Sequence, residues 1–292
     1  MDSTVGSPRP AATVIVARDR PDASFEVLML LRNLNSDFVG GAYVFPGGAV
    51  DEADASPEVA ARCAGLDDAE ASRRLGLETG GLAYWVACAR ELFEEAGLLL
   101  ARRDDDTPID GADGALADRL AERRRGLNDG TVDLLEVLGS EGLVLDLAQL
   151  EYFAHWITPV GPPRRYDTRF FVAGAPAGQE PAHDEKELVA NVWVTPTEAL
   201  ARHRRGEMQL ILPTIKNLEA IEPLGSCGAL LGAARRATAV PTIEPRIVPD
   251  GDGVRILLPG DDGYDDPALP TVPARSVGNR AIDRASSDAG GP

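Results

Sequence analysis

The densest chemistry in the chain lies in nine consecutive residues, Arg90-Glu91-Leu92-Phe93-Glu94-Glu95-Ala96-Gly97-Leu98. On a helix, Glu91, Glu94 and Glu95 stand at i, i+3 and i+4, so three carboxylates share one face. Like charges at that spacing cost ~0.2–0.5 kcal/mol per pair. The three also crowd the last turn before Gly97, where the helix dipole disfavours negative charge. Arg90 relieves only part of this. Divalent cations would supply the missing compensation, and hard oxygen ligands select Mg²⁺ or Mn²⁺. The plainer alternative is a solvated acidic face. The flanking apolar Leu92 and Phe93, and the sharp turn that Gly97 permits, count against it.

A second cluster lies upstream, in Phe45-Pro46-Gly47-Gly48-Ala49-Val50-Asp51-Glu52-Ala53-Asp54. Two glycines directly after a strand let backbone approach a ligand without a Cβ in the way. Together the two halves resemble the Nudix box, G-x5-E-x7-R-E-U-x-E-E-x-G-U with U apolar. Gly48 takes its first position, and Arg90 to Leu98 match its second half in full. The chain departs from the pattern twice: Asp54 stands at the first Glu position, and residues 55–89 replace the usual short spacer. The interrupted box is similar to that of the peroxisomal coenzyme A diphosphatase branch of the Nudix hydrolases. So is a second stretch, His155-Trp156-Ile157-Thr158-Pro159 followed by Pro163-Arg164-Arg165-Tyr166-Asp167-Thr168-Arg169-Phe170-Phe171. The resemblance covers roughly residues 10–225.

That resemblance implies an α/β (α+β) fold, the Nudix α/β/α sandwich with a mixed central sheet, a helical insertion and a C-terminal helical extension. It implies metal-dependent hydrolysis of a diphosphate, with coenzyme A or acyl-CoA as leading substrate. The products would be 3′,5′-ADP and (acyl-)4′-phosphopantetheine. Another nucleoside diphosphate derivative (ADP-ribose, NADH, a dinucleoside polyphosphate) and a non-catalytic nucleotide-sensing module are the alternatives. By position, Glu94 and Glu95 become metal ligands, Glu91 a ligand or general base, Arg90 the group that orients the glutamates, and Gly48 a carbonyl donor to Mg²⁺ or Mn²⁺. Glu187 is the candidate for a further glutamate from a later segment, against a solvent-facing strand position. Arg164, Arg165 and Arg169 form a basic cluster in an acidic chain and suit a phosphate, since arginine matches its geometry bidentately. Ion pairing with Asp167 is the alternative. Arg32 is a fourth substrate-binding candidate. Tyr166 or Phe170 could stack on a base or simply pack in the core.

These residues must be positioned by surrounding elements. Strands are expected at 12–17, 25–31, 42–44, 98–100, 155–158, 169–173 and 188–194, and the box helix at 82–95, stopped by Gly97. Two short helices are expected within 55–79. Residues 103–150 read as mostly polar helix, with pieces at 114–124, 132–138 and 147–150. Further helices are expected at 196–205, 213–221 and 227–236, and a hairpin within 241–259 turning at Asp250-Gly251-Asp252-Gly253. The domain plan is a flexible arm at 1–10 and a Nudix domain at 11–240 with insertions at 55–81 and 103–150. A hairpin-like extension follows at 241–266, then a disordered tail at 267–292.

Composition limits the partners. The chain has 292 residues, 47 of them acidic against 29 basic, for a net charge of −18. Such a surface repels nucleic-acid backbones and anionic membranes, so neither is an expected partner. No apolar run approaches the ~20 residues of a membrane helix, and the first ten residues do not read as a signal peptide. A cytoplasmic location is expected. Three cysteines without metal-like spacing argue against both a disulfide framework and a cysteine metal site. Cys88 reads as core, not nucleophile. The histidines share no spacing suited to a metal. Homodimers are widespread in the superfamily, which makes a homodimer the candidate assembly by analogy.

Overall fold

The computed structural model describes residues 7–34, 40–109, 111, 113–160, 164–182, 188–251 and 253–271. Its centre is an eight-stranded mixed sheet. The long strand β1 (Arg9–Asp19) pairs antiparallel with β2 (Phe25–Arg32) at one end only, Ala17 to Asp19. Towards the other end the gap between them is filled by two short strands. β3 (Tyr43–Val44) pairs with β2, and β4 (Gly47–Ala49) pairs with β1 at Ala11 to Thr13. On its other side β1 runs parallel to β9 (Tyr166–Gly174), which pairs antiparallel with β8 (Glu151–Ile157). β10 (Leu188–Val194) pairs with β2, and a short β11 (Thr242–Ile243) runs parallel to β8.

The alternation of side chains along β1 and β9 creates two cores. Val14, Val16, Phe171 and Ala173 face α3 (Leu82–Ala96), while Ile15, Ala17, Phe170 and Val172 face the opposite layer. That layer is made of α6 (Pro196–Arg204), α7 (Leu212–Ile221) and α8 (Cys227–Arg236). The result is the expected three-layer α/β/α sandwich. Because both faces of β1 are covered, Ala11 to Ala17 reads as an unbroken apolar run except at Thr13. Trp85 anchors α3 to the sheet: its ring meets Phe171 edge-on at 4.7 Å, and its indole N–H donates to the Leu150 carbonyl at 3.3 Å.

The insertions depart from the sequence reading. The first contains α1 (Pro57–Ala60) and α2 (Asp68–Leu75), with a two-residue strand β5 (Cys63–Ala64) between them. The second is not wholly helical. Alongside α4 (Gly114–Asn128) and α5 (Leu134–Glu141) it contributes β7 (Leu143–Asp146), and β6 (Ala101–Arg103) leads into it. β7 pairs with both β5 and β6, so the two insertions share a small three-stranded sheet. The expected strand at 98–100 begins only at Ala101. At the N-terminus, β1 already pairs at Arg9 and Pro10, within the stretch expected to be an arm. β12 (Arg246–Asp250) and β13 (Gly253–Leu257) form a hairpin closed at Asp250 and Gly253. Residues 272–292, in the expected tail, lie outside the described residues.

Candidate active site

The site forms where the last turns of α3 pass over β4. Arg90 organises it with all five guanidinium N–H groups engaged. Nε and Nη2 donate to the two oxygens of Asp54 at 2.9 and 3.0 Å, and Nη2 also donates to the Ala49 carbonyl at 2.9 Å. Nη1 is divided between Glu91 at 3.0 Å and Glu94 at 3.2 Å. The Asp54 and Arg90 side chains are only 1% and 9% exposed. This bidentate pair ties together the two halves of the box that the insertion separates in sequence. The shorter Asp54 side chain reaches Arg90 because the 3-10 turn at Glu52–Ala55 carries it inward, where its carboxylate also accepts from the Asp51 N–H at 2.8 Å.

The glycines of β4 bring backbone against this group. A Cβ on Gly47 would stand 2.4 Å from the Ala12 carbonyl and 2.6 Å from Thr13 Cα, so only glycine lets β4 lie this close to β1. A Cβ on Gly48 would occupy the space of the Glu91 carboxylate, 2.4 Å from Oε1. Glu95 turns the same way and accepts from the Gly47 N–H at 2.8 Å. The structure therefore brings together Gly48, Arg90, Glu91, Glu94 and Glu95.

The charges at this point do not balance. Asp51, Asp54, Glu91 and Glu94 all lie within 4 Å of one guanidinium. Burial pushes the Glu91 carboxyl up to about 7 and raises Glu94 as well, against the pull of Arg90. Among the described residues, no three acidic, histidine or cysteine side chains already converge as a coordination sphere. Glu91 and Glu94 are held by Arg90, and Glu95 by Gly47. The donor set nevertheless fits a divalent cation: it consists of hard oxygens with an unmet demand for positive charge, set against a glycine cradle.

The other candidates lie farther out. Arg169 is directly across β1 from Gly48, because Ala12 pairs with both. Its Nη1 donates to Tyr152 Oη at 3.1 Å and to His155 Nδ1 at 2.5 Å. Since a guanidinium can only donate, His155 keeps its proton on Nε2 and donates it to Asp167 Oδ1, also at 2.5 Å. Asp167 lies 3.7 Å from Arg169 Nε, the ion-paired arrangement. Arg165 turns away to the Thr158 carbonyl and to Glu244 beyond β11, at 2.9 and 2.6 Å. Arg164 is exposed before β9, and Arg32 ends β2 beside β3. Phe170 packs in the core opposite α3. Cys88 is fully buried, with burial raising its thiol well above the usual value. Glu187 and His183 lie outside the described residues.

Sequence reasoning missed the residues that hold α3 at its two ends. Asp68 of α2 accepts from the Gly80 and Leu82 N–H groups at 3.0 and 2.9 Å, and Ser72 Oγ accepts from Gly81 N–H at 2.8 Å. At the other end, Arg124 and Asn128 of α4 donate to backbone carbonyls of the last turn. The Asp67-Asp68 pair signals a helix start. Nothing in the run Arg123-Arg124-Arg125 marks the middle residue as the buried one.

The NUDT19 Nudix domain family model matches residues 77–221. The acyl-coenzyme A diphosphatase NUDT19 of Gallus gallus is 31% identical, over 88% of this chain and 79% of that protein. The Homo sapiens protein of the same name is 28% identical, over 89% and 77%. Among solved structures, a NUDIX hydrolase from Alicyclobacillus acidocaldarius superposes with a TM-score of 0.59 at 29% identity, covering 78% of this chain and 97% of that one. Likeness over most of both chains, together with a box whose halves meet through Asp54 and Arg90, leads to one conclusion: the chain belongs to the Nudix hydrolases, in their NUDT19 branch.

Proposed function

We propose that this Nudix hydrolase cleaves the diphosphate of coenzyme A or an acyl-CoA, releasing 3′,5′-ADP and (acyl-)4′-phosphopantetheine. The observation that carries the reading is the surplus of buried carboxylate around Arg90, set against the Gly47-Gly48 backbone in a chain whose relatives are named acyl-coenzyme A diphosphatases. Glu91, Glu94, Glu95 and the Gly48 carbonyl are the groups that would hold Mg²⁺ or Mn²⁺. A bound ion of this kind neutralises the diphosphate, acidifies the attacking water and stabilises charge on the leaving phosphate.

The chain's own residues supply the rest. Arg90 fixes the rotamers of Glu91 and Glu94 and closes the box onto Asp54. Glu91, its side chain 14% exposed, is ligand or general base. Glu187 is proposed as the further glutamate from the later segment. Arg164, exposed before β9, and Arg32, at the end of β2, are the arginines proposed to meet substrate phosphate. The proposal extends to a cytoplasmic, homodimeric enzyme without nucleic-acid or membrane partners. No helix among the described residues is long and apolar enough to cross a membrane.

The test is turnover of coenzyme A, acyl-CoA, ADP-ribose, NADH and dinucleoside polyphosphates with Mg²⁺ or Mn²⁺, with products identified. Release of 3′,5′-ADP at a kcat/KM above that for the other nucleotides is expected. Preference for another nucleotide would reassign the substrate, and binding without turnover under any metal would make the module a sensor.

A further inference from the structure

An α-helix leaves its last four carbonyls without intrahelical partners. In α3 these belong to Phe93, Glu94, Glu95 and Ala96. The first accepts from the Gly97 N–H at 2.9 Å, and the last from the Ala182 N–H at 2.9 Å. The middle two are the backbone of the paired glutamates, and both are taken by α4. Arg124 Nε donates to the Glu94 carbonyl at 2.9 Å, and Nη2 donates to the Glu95 carbonyl at 2.8 Å. Asn128 Nδ2 adds a second donor to Glu94 at 3.1 Å. Arg124 is 8% exposed, and α3 has no basic residue in its own last turn.

Gly97 makes this approach possible. Its φ of +71° ends the helix in the left-handed region, and a Cβ there would stand 3.1 Å from Arg124 Nη1. The glycine thus stops the helix and clears a path for the guanidinium.

We propose that Arg124 is a positioning residue for the reaction: by clamping the carbonyls of Glu94 and Glu95 from outside α3, it fixes the direction in which their carboxylates leave the last turn. The proposal rests on reading Glu94 and Glu95 as cation ligands. A guanidinium suits the task, because its rigid fork reaches two successive carbonyls at once with charge-assisted hydrogen bonds. Its charge also lies where the helix dipole and the glutamates are both negative. The 103–150 insertion thereby acquires a role in the chemistry as well as in the small sheet.

The test compares wild type with Arg124→Ala, Arg124→Lys, Asn128→Ala and the exposed control Arg125→Ala. Four quantities are read: Mn²⁺ binding by EPR titration of the free ion, kcat and KM for coenzyme A, and melting temperature without metal. Arg124→Ala is expected to weaken Mn²⁺ binding ~10–100-fold, the usual effect of losing a group that orients a ligand. Its kcat should fall in step while KM changes little. Arg124→Lys should recover more melting temperature than Mn²⁺ affinity, because one ammonium cannot reproduce the fork. Asn128→Ala should shift Mn²⁺ binding in the same direction by a smaller factor, and Arg125→Ala should match wild type. Lowered melting with wild-type Mn²⁺ affinity and kcat per folded molecule would make Arg124 merely structural and overturn the proposal. Should Arg124→Ala fail to fold, wild-type Mn²⁺ affinity in both Arg124→Lys and Asn128→Ala would overturn it equally. Wild type that neither binds Mn²⁺ nor hydrolyses coenzyme A would remove the functional reading and this proposal together.

Discussion

Two buried arginines, Arg90 on α3 and Arg169 on β9, keep opposite company. Arg90 is one cation among Asp51, Asp54, Glu91 and Glu94. Arg169 has a neutral imidazole, a tyrosine hydroxyl and a single carboxylate, Asp167. The second group is closed in charge, one carboxylate against one guanidinium, although Arg169 Nε makes no hydrogen bond. The first is open, with more buried negative charge than the protein itself compensates. Burial alone therefore does not mark a reactive site. Imbalance does, and here it lies against glycine backbone while the balanced group lies against Tyr84 and Tyr152.

The sharpest way to test that contrast is to remove the surplus. The double substitution Glu94→Gln, Glu95→Gln should lower kcat by about 10³-fold or more, the order of several kcal/mol of transition-state charge stabilisation. Melting of the metal-free protein should hold or rise, because like charges are relieved. Loss of activity with collapse of the fold would instead make the carboxylates structural. Next is Asp54→Ala, which strands Arg90 and parts the two halves of the box. A cost of about 3–5 kcal/mol is expected from breaking so buried a pair, read by denaturant unfolding, with kcat falling as Arg90 loosens.

The closed group should respond differently. Burial alone would raise the Asp167 carboxyl, but the His155 hydrogen bond and Arg169 hold it below its ordinary value of 3.8. A carboxyl depressed in the folded state adds stability above its unfolded value and loses that contribution as pH falls through the folded one. Asp167→Asn should therefore cost about 1–2 kcal/mol at pH 7. Its deficit against wild type should shrink as pH drops below 3.8, in unfolding curves at pH 7, 5 and 3. Turnover at pH 7 should stay close to that of wild type. A hundredfold loss of kcat would show that the balanced group takes part in chemistry and would break the comparison.

Much of the open site is legible in the chain, because its signals are local. Glu91, Glu94 and Glu95 share a face by helical spacing, and Gly97 announces the stop that its positive φ supplies. The Phe45 to Gly48 segment identifies the opposing backbone. What supports the site is not legible, because it comes from distant contacts. β5 and β7 are short apolar stretches that no periodicity separates from helix, and they become strands by pairing with each other. Arg124 sits between two other arginines, and only the docking of α4 on α3 decides which one is buried. The reach of β1 back to Arg9 likewise depends on its parallel partner β9. The closed group was half visible: the Arg/Asp spacing was plain, but His155 joins it from a neighbouring strand.

The most direct measurement is anomalous diffraction at the manganese edge from crystals grown with Mn²⁺. A peak within coordination distance of carboxylate oxygens of Glu94 or Glu95, beside the Gly48 carbonyl, is the expected result. Manganese bound only elsewhere, or no peak at these side chains at saturating ion, would contradict a cation site at the end of α3.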